Sequence, residues 1–240
     1  MGIFGYIPFV PFGFDFTYII LLPAIILALY AQAKVKSTFQ KYLSVPASSR
    51  LTGAMVARQL LQQNGISDVR VEMVSGNLSD YYDPRKKVLR LSPDVYESNS
   101  LAALGVAAHE TGHAVQDYTG YFALNLRAGF LPVANFGSTL SFPLLIIGFL
   151  MNSDFLIRLG VFAFAGVVLF QLITLPVEFN ASSRAIAMLV DGGYIRSNEV
   201  GPAKKVLSAA ALTYVAATVV AILNLVRLLI LSGMFGRRDD

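Results

Sequence analysis

The chain has two histidines, four positions apart, in Ala108-His109-Glu110-Thr111-Gly112-His113-Ala114. On a helix this spacing puts both imidazoles on one face, one turn apart, where a single zinc ion can reach both. Glu110 follows the first histidine directly, so it reaches a metal-bound water rather than the metal. The chemistry expected of this set is hydrolysis. Zinc lowers the pKa of its water to about 7 and polarises a carbonyl. Glu110 takes the proton and passes it to the leaving amine. Both histidines falling in one pattern argues against two unrelated helical residues.

Catalytic zinc takes three protein ligands and keeps one position for water. Cysteine is absent and the histidines are used, so the third ligand must be Asp or Glu. Glu178 is favoured, in Leu175-Pro176-Val177-Glu178-Phe179-Asn180. It closes a long apolar stretch, where a carboxylate without a partner is costly. Glu97, Asp94, Asp117 and Asp191 stay open as alternatives, and Glu178 could also be a solvated carboxylate ending a span. Arg184, Tyr118 and Tyr121 are the candidates for supporting the oxyanion.

These residues need elements to hold them. Of 240 residues, 55% are hydrophobic and 14% charged, against about a quarter charged in soluble domains. Four stretches reach the roughly 20 residues that cross a bilayer: 15–33, 129–151, 157–177 and 209–231. No Lys or Arg precedes Phe16, so the first reads as an uncleaved anchor, although Ala31-Gln32-Ala33 resembles a cleavage site. The expected organisation is an N-terminal anchor (1–33), a polar catalytic region (34–128), a two-helix transmembrane hairpin (129–177), a second catalytic helix (178–208) and a C-terminal segment with its tail (209–240). Lys34, Lys36 and Lys41 follow the first span closely, and Arg184, Lys204 and Lys205 fall on the same side. The positive-inside rule makes that side cytoplasmic, which puts the C-terminus outside; Arg237 and Arg238 run against the pattern. The net charge is +4 and the only basic run of three is Arg85-Lys86-Lys87, which excludes a nucleic-acid surface. A channel or transporter would need ionisable groups deep in several spans, and Arg227 stands alone in that respect.

In the polar region, Leu51, Met55, Val56, Leu60 and Leu61 predict a helix over 52–63, ended by Asn64-Gly65. Residues 69–74 and 88–91 read as strands of a small β-hairpin, with turn residues at 80–84. Ser98, Asn99 and Ser100 offer caps for a helix over 101–118. A peptide substrate is expected to lie extended along the hairpin edge.

The stretch from Gly105 to Ala114, the preceding Tyr82-Asp83-Pro84-Arg85-Lys86-Lys87-Val88-Leu89-Arg90-Leu91-Ser92-Pro93, and the later Pro176-Val177-Glu178-Phe179 closely resemble the YugP-type neutral zinc metallopeptidases of bacterial membranes. The resemblance spans nearly the whole chain. It implies a gluzincin-like site, with two helix histidines and a glutamate from a later helix. The plan is also similar to HtpX-type heat-shock proteases and CAAX-prenyl proteases. Those place an Asp four residues beyond the ligand Glu, where this chain has Ser182; where the YugP type leads one to expect Asp, it has Asn180.

The fold class expected is therefore mainly α: a multi-pass helical membrane protein with a gluzincin-like HExxH region and a small β-hairpin. The function expected is a zinc endopeptidase of the bacterial cytoplasmic membrane. Zn2+ would be held by His109, His113 and Glu178, with Glu110 as base, and the partners would be the bilayer and membrane or misfolded protein substrates. The alternative is a membrane scaffold that binds zinc without peptidase activity.

Overall fold

The computed structural model describes residues 16–234. Asp15, where the first span was expected to begin, and Arg237 and Arg238 lie outside them. A 3-10 turn, Phe16–Leu21, leads into α1 (Leu22–Leu43). Then come α2 (Gly53–Gln63), strands β1 (Arg70–Met73), β2 (Tyr81–Asp83) and β3 (Val88–Leu91), the single turn α3 (Pro93–Tyr96) and α4 (Leu101–Tyr118). Three long helices follow: α5 (Phe122–Leu150), α6 (Asp154–Asp191) and α7 (Ser197–Leu231). The protein is mainly helical. Among the described residues, four helical stretches are long and apolar enough to cross a membrane: Phe16–Leu43, Phe122–Leu150, Asp154–Asp191 and Ser197–Leu231.

The chain divides into two compact units. Among the described residues, one comprises 31–124 and 177–213. Its interior is built on α4, whose Leu101, Leu104 and Ala108 pack with Val56 and Leu60 of α2, Ala185 and Leu189 of α6, and Leu207 of α7. The opposite side of α4 offers Ala102, Ala103 and Ala107 to Leu89 and Leu91 of β3. Small residues on α4 let layers approach from both sides, which a helix rich in large side chains would prevent. Thr52 caps α2, its side-chain oxygen accepting from the Met55 amide, and Ser100 caps α4 by accepting from Ala103. Each cap satisfies an amide that the first helical turn leaves without a partner.

The sheet corrects one expectation. Strands 69–74 and 88–91 are neighbours, but they run parallel, with Arg70 opposite Val88 and Met73 opposite Leu91. The hairpin partner of β3 is β2, paired antiparallel with Tyr82 opposite Leu89. The order is β1-β3-β2. Asp83 causes the difference. Its Oδ1 accepts from the amides of Arg85 and Lys86, closing a tight turn immediately after it. The tyrosines before it, of a type that suits a pleated surface, are thereby released to form a strand rather than a loop.

The second unit comprises, among the described residues, 16–30, 125–176 and 214–234. Here α5 and the first part of α6 meet through glycines. A Cβ on Gly137 would lie 2.3 Å from the Ala163 carbonyl oxygen, and one on Gly160 2.9 Å from that of Ser141. Such contacts let helices associate where lipid removes the hydrophobic drive. Phe136, Phe155, Phe162 and Leu169 are exposed, as expected of side chains facing hydrocarbon. Arg227 is buried: its Nε donates to Thr17 Oγ1 at 2.9 Å, and its guanidinium lies 3.8 Å from the Tyr18 ring centroid. The two ends of the helical set thus meet through one cation.

Candidate metal centre

Helix α4 carries His109 and His113 on one face, with ring centroids 4.8 Å apart and planes at 84°. Glu178 approaches from α6 and is 2% exposed. Its Oε2 lies 3.3 Å from His109 Nε2 and 3.5 Å from His113 Nε2. Among the described residues this is the cluster of three metal-ligating side chains, its donor atoms all within 4.8 Å of one another. The geometry suits an ion. Tetrahedral zinc with bonds of about 2.1 Å holds its ligand atoms about 3.4 Å apart, close to both observed histidine–carboxylate separations.

The approach of α6 depends on Gly112, inside the motif. A Cβ there would meet the Ala181 carbonyl oxygen at 2.8 Å and the Ala181 carbonyl carbon at 3.3 Å. Bare backbone at Gly112 lets Ala181, three residues after Glu178, sit directly against α4. Thr111, on the other side of the motif, is buried and satisfied by donating to Ala107 O at 2.8 Å.

Both rings are also held at Nδ1. Ser182 Oγ lies 3.2 Å from His109 Nδ1, so a hydroxyl stands beside that histidine. Gln116 Oε1 lies 3.0 Å from His113 Nδ1, and Gln116 Nε2 donates to Val177 O and Asn180 Oδ1, both at 2.9 Å. Burial disfavours a charge on His113, while the Glu178 carboxylate favours one; the balance raises its pKa.

Glu110 is 9% exposed. Its charge is felt by Asp80, whose pKa is raised to about 6, first by burial and then by Glu110, against hydrogen bonds from Ser92 that lower it. Asp80 Oδ1 accepts from the Ser92 amide at 2.7 Å and from its hydroxyl at 3.0 Å. The sequence gives no sign of this second carboxylate near the motif, because only the sheet brings residue 80 to α4. Gln116 and Ser182 carried weak signals: Gln116 is three residues after a histidine on one helix face, and Ser182 is four after Glu178.

The other candidates lie elsewhere. Asp117 accepts from Tyr82 Oη and Lys87 Nζ, each at 2.7 Å, and so ties α4 to the hairpin. That contact raises the Lys87 pKa; burial and Asp117 together raise that of Tyr82. Asp94, Glu97 and Asp191 are exposed and not in the cluster. Arg184 donates from Nε to Asn180 Oδ1 at 2.8 Å and lies 5.9 Å from the Tyr121 ring centroid. Tyr118 is 60% exposed.

A family described as "Putative neutral zinc metallopeptidase" matches residues 17–233. The chain is 52% identical over 206 residues to "Putative membrane protease YugP" of Bacillus subtilis (strain 168), covering 86% of this chain and 92% of that protein. No solved structure matches.

Proposed function

The chain belongs to the family described as putative neutral zinc metallopeptidases, and from that premise we propose that it is a membrane zinc endopeptidase with His109, His113 and Glu178 as ligands and Glu110 as general base. The observation that carries this is the convergence of two Nε2 atoms and one carboxylate oxygen, with a further carboxylate one residue from the first histidine. When bound, zinc supplies a water of lowered pKa and polarises the scissile carbonyl. Glu110 accepts the proton of that water and later delivers it to the departing amine. Its low exposure keeps bulk water from competing for that proton.

The substrate in this reading is an extended segment of a membrane or misfolded protein. It pairs with the free side of β2, an edge strand of the β1-β3-β2 sheet. Support for choosing β2 over β1 is that Asp80, just before β2, feels the charge of Glu110. Edge addition supplies main-chain hydrogen bonds without demanding a particular sequence. Lys34, Lys36 and Lys41 support a cytoplasmic site.

The test is Glu110→Gln in the purified protein, with zinc content and cleavage of an unfolded protein measured together. Retained zinc with cleavage reduced about a hundredfold or more supports the reading, since a general base contributes about 10²–10⁴-fold. Full zinc in a parent that cleaves nothing favours the zinc-binding scaffold.

A further inference from the structure

We infer that Gln116 is the positioning residue of the metal site: it fixes neutral His113 as the tautomer with its proton on Nδ1, so that Nε2 keeps a lone pair for the metal position it shares with Glu178. The inference deepens the metal reading above and rests on it.

The argument is a chain of donors and acceptors with one consistent solution. Val177 O is a backbone carbonyl and can only accept, so the Gln116 atom 2.9 Å away is the amide nitrogen. Arg184 Nε can only donate, so the Asn180 atom 2.8 Å from it is the amide oxygen. That oxygen also receives Gln116 Nε2 at 2.9 Å. Two independent partners therefore turn the Gln116 amide the same way. Its oxygen is left facing His113 Nδ1 at 3.0 Å, and an amide oxygen can only accept. Nδ1 must carry the hydrogen. A neutral imidazole has one N–H, so Nε2 holds a lone pair, the form that binds a metal. Gln116 is fully buried, so no water substitutes for these partners.

The two histidines differ in this respect. Ser182 Oγ, 3.2 Å from His109 Nδ1, can donate or accept by rotating its hydrogen, and so imposes no tautomer. The directional constraint falls on His113 alone. It is relayed from α6, the helix that brings Glu178, through Val177 O, Asn180 and Arg184. Sequence explains the use of an amide here: with Asn180 accepting twice, a donor must face it, and an amide both donates to Asn180 and accepts from His113.

The test uses the full-length protein in detergent, labelled with 15N-histidine, so that two imidazoles give all the ring signals. In the zinc-free parent, at alkaline pH where the His113 ring is neutral, its signals are expected to report a proton on Nδ1. Zinc affinity, measured by competition with a chelator, is expected to fall about 10–100-fold in Gln116→Leu, as for loss of other groups behind a ligand. Gln116→Glu keeps the acceptor but gives up both donor bonds. It should unfold at lower temperature while binding zinc within about threefold of the parent. A role limited to joining two helices predicts instead that both variants lose zinc affinity alike, and that result overturns the inference. So does a parent whose His113 carries its proton on Nε2, a reading that needs no variant to fold. A parent that takes up no zinc defeats the metal reading, while the parent spectrum still decides the tautomer.

Discussion

Replacing Gly112 by alanine asks how closely α4 and α6 must approach. The new Cβ would stand 2.8 Å from the Ala181 carbonyl oxygen. Ordinary contact requires the backbones to separate by about 0.6 Å. Metal–ligand distances tolerate only about 0.2 Å, and Glu178 lies less than one helical turn from Ala181. Overpacking of this kind costs about 1–3 kcal/mol. In the zinc-free protein the helices can part and relieve it; zinc must draw them together again. The strain therefore reports in metal affinity, as a loss of about 5–150-fold. The assay is chelator competition on the purified protein, with thermal unfolding measured with and without zinc. Gly105, on the same helix, supplies the control, because a Cβ there meets nothing within 4 Å. Gly105→Ala should leave zinc affinity unchanged and stabilise the helix by about 0.5–1 kcal/mol. Parent-like zinc binding in Gly112→Ala, or an equal loss in Gly105→Ala, would refute the close-approach argument.

Two further outcomes are expected. Glu178→Gln removes the anionic ligand, and elemental analysis after dialysis against a weak chelator should find the variant empty where the parent retains zinc; retention at parent levels would assign the third position to another residue. Asp80 has its pKa raised from 3.8 to about 6 in the folded protein, so the folded state holds that proton more tightly than the unfolded chain does. Its contribution is most favourable below about pH 4 and is lost as pH rises through about 6. Asp80→Asn, which still offers an oxygen to the Ser92 amide, should flatten the decline in Tm between pH 4 and 7; an unchanged slope would mean that Asp80 is ionised throughout.

Local chemistry was the most legible part of the sequence. The helix of the motif runs from Leu101 to Tyr118 as expected, because Ser100 caps it and Gly120, with φ +62°, follows its end. The apolar stretches read as spans are helical, but their ends are not set by hydropathy: α6 continues unbroken from residue 154 through Glu178 to 191, past the point where its apolar character stops. The sheet was misread where one side chain outweighed composition, since Asp80, Asp83 and Pro84 suggested a turn while Asp83 closes the turn only after Tyr81 and Tyr82 have paired. Glu178 could be favoured over the other carboxylates, because it closes a long apolar stretch where a carboxylate without a partner is costly. Gln116 could not. Its importance lies in partners 61 and 64 residues away, and spacing within one helix carries no record of them.

The contact of Arg227 with Thr17 and Tyr18 has a practical corollary. It sets the start of the first long helix beside the finish of the last, which is the parity an even number of crossings demands. Reporter domains fused at either terminus should therefore answer from one and the same compartment, and a pair that disagreed would show that one of the four helices does not traverse.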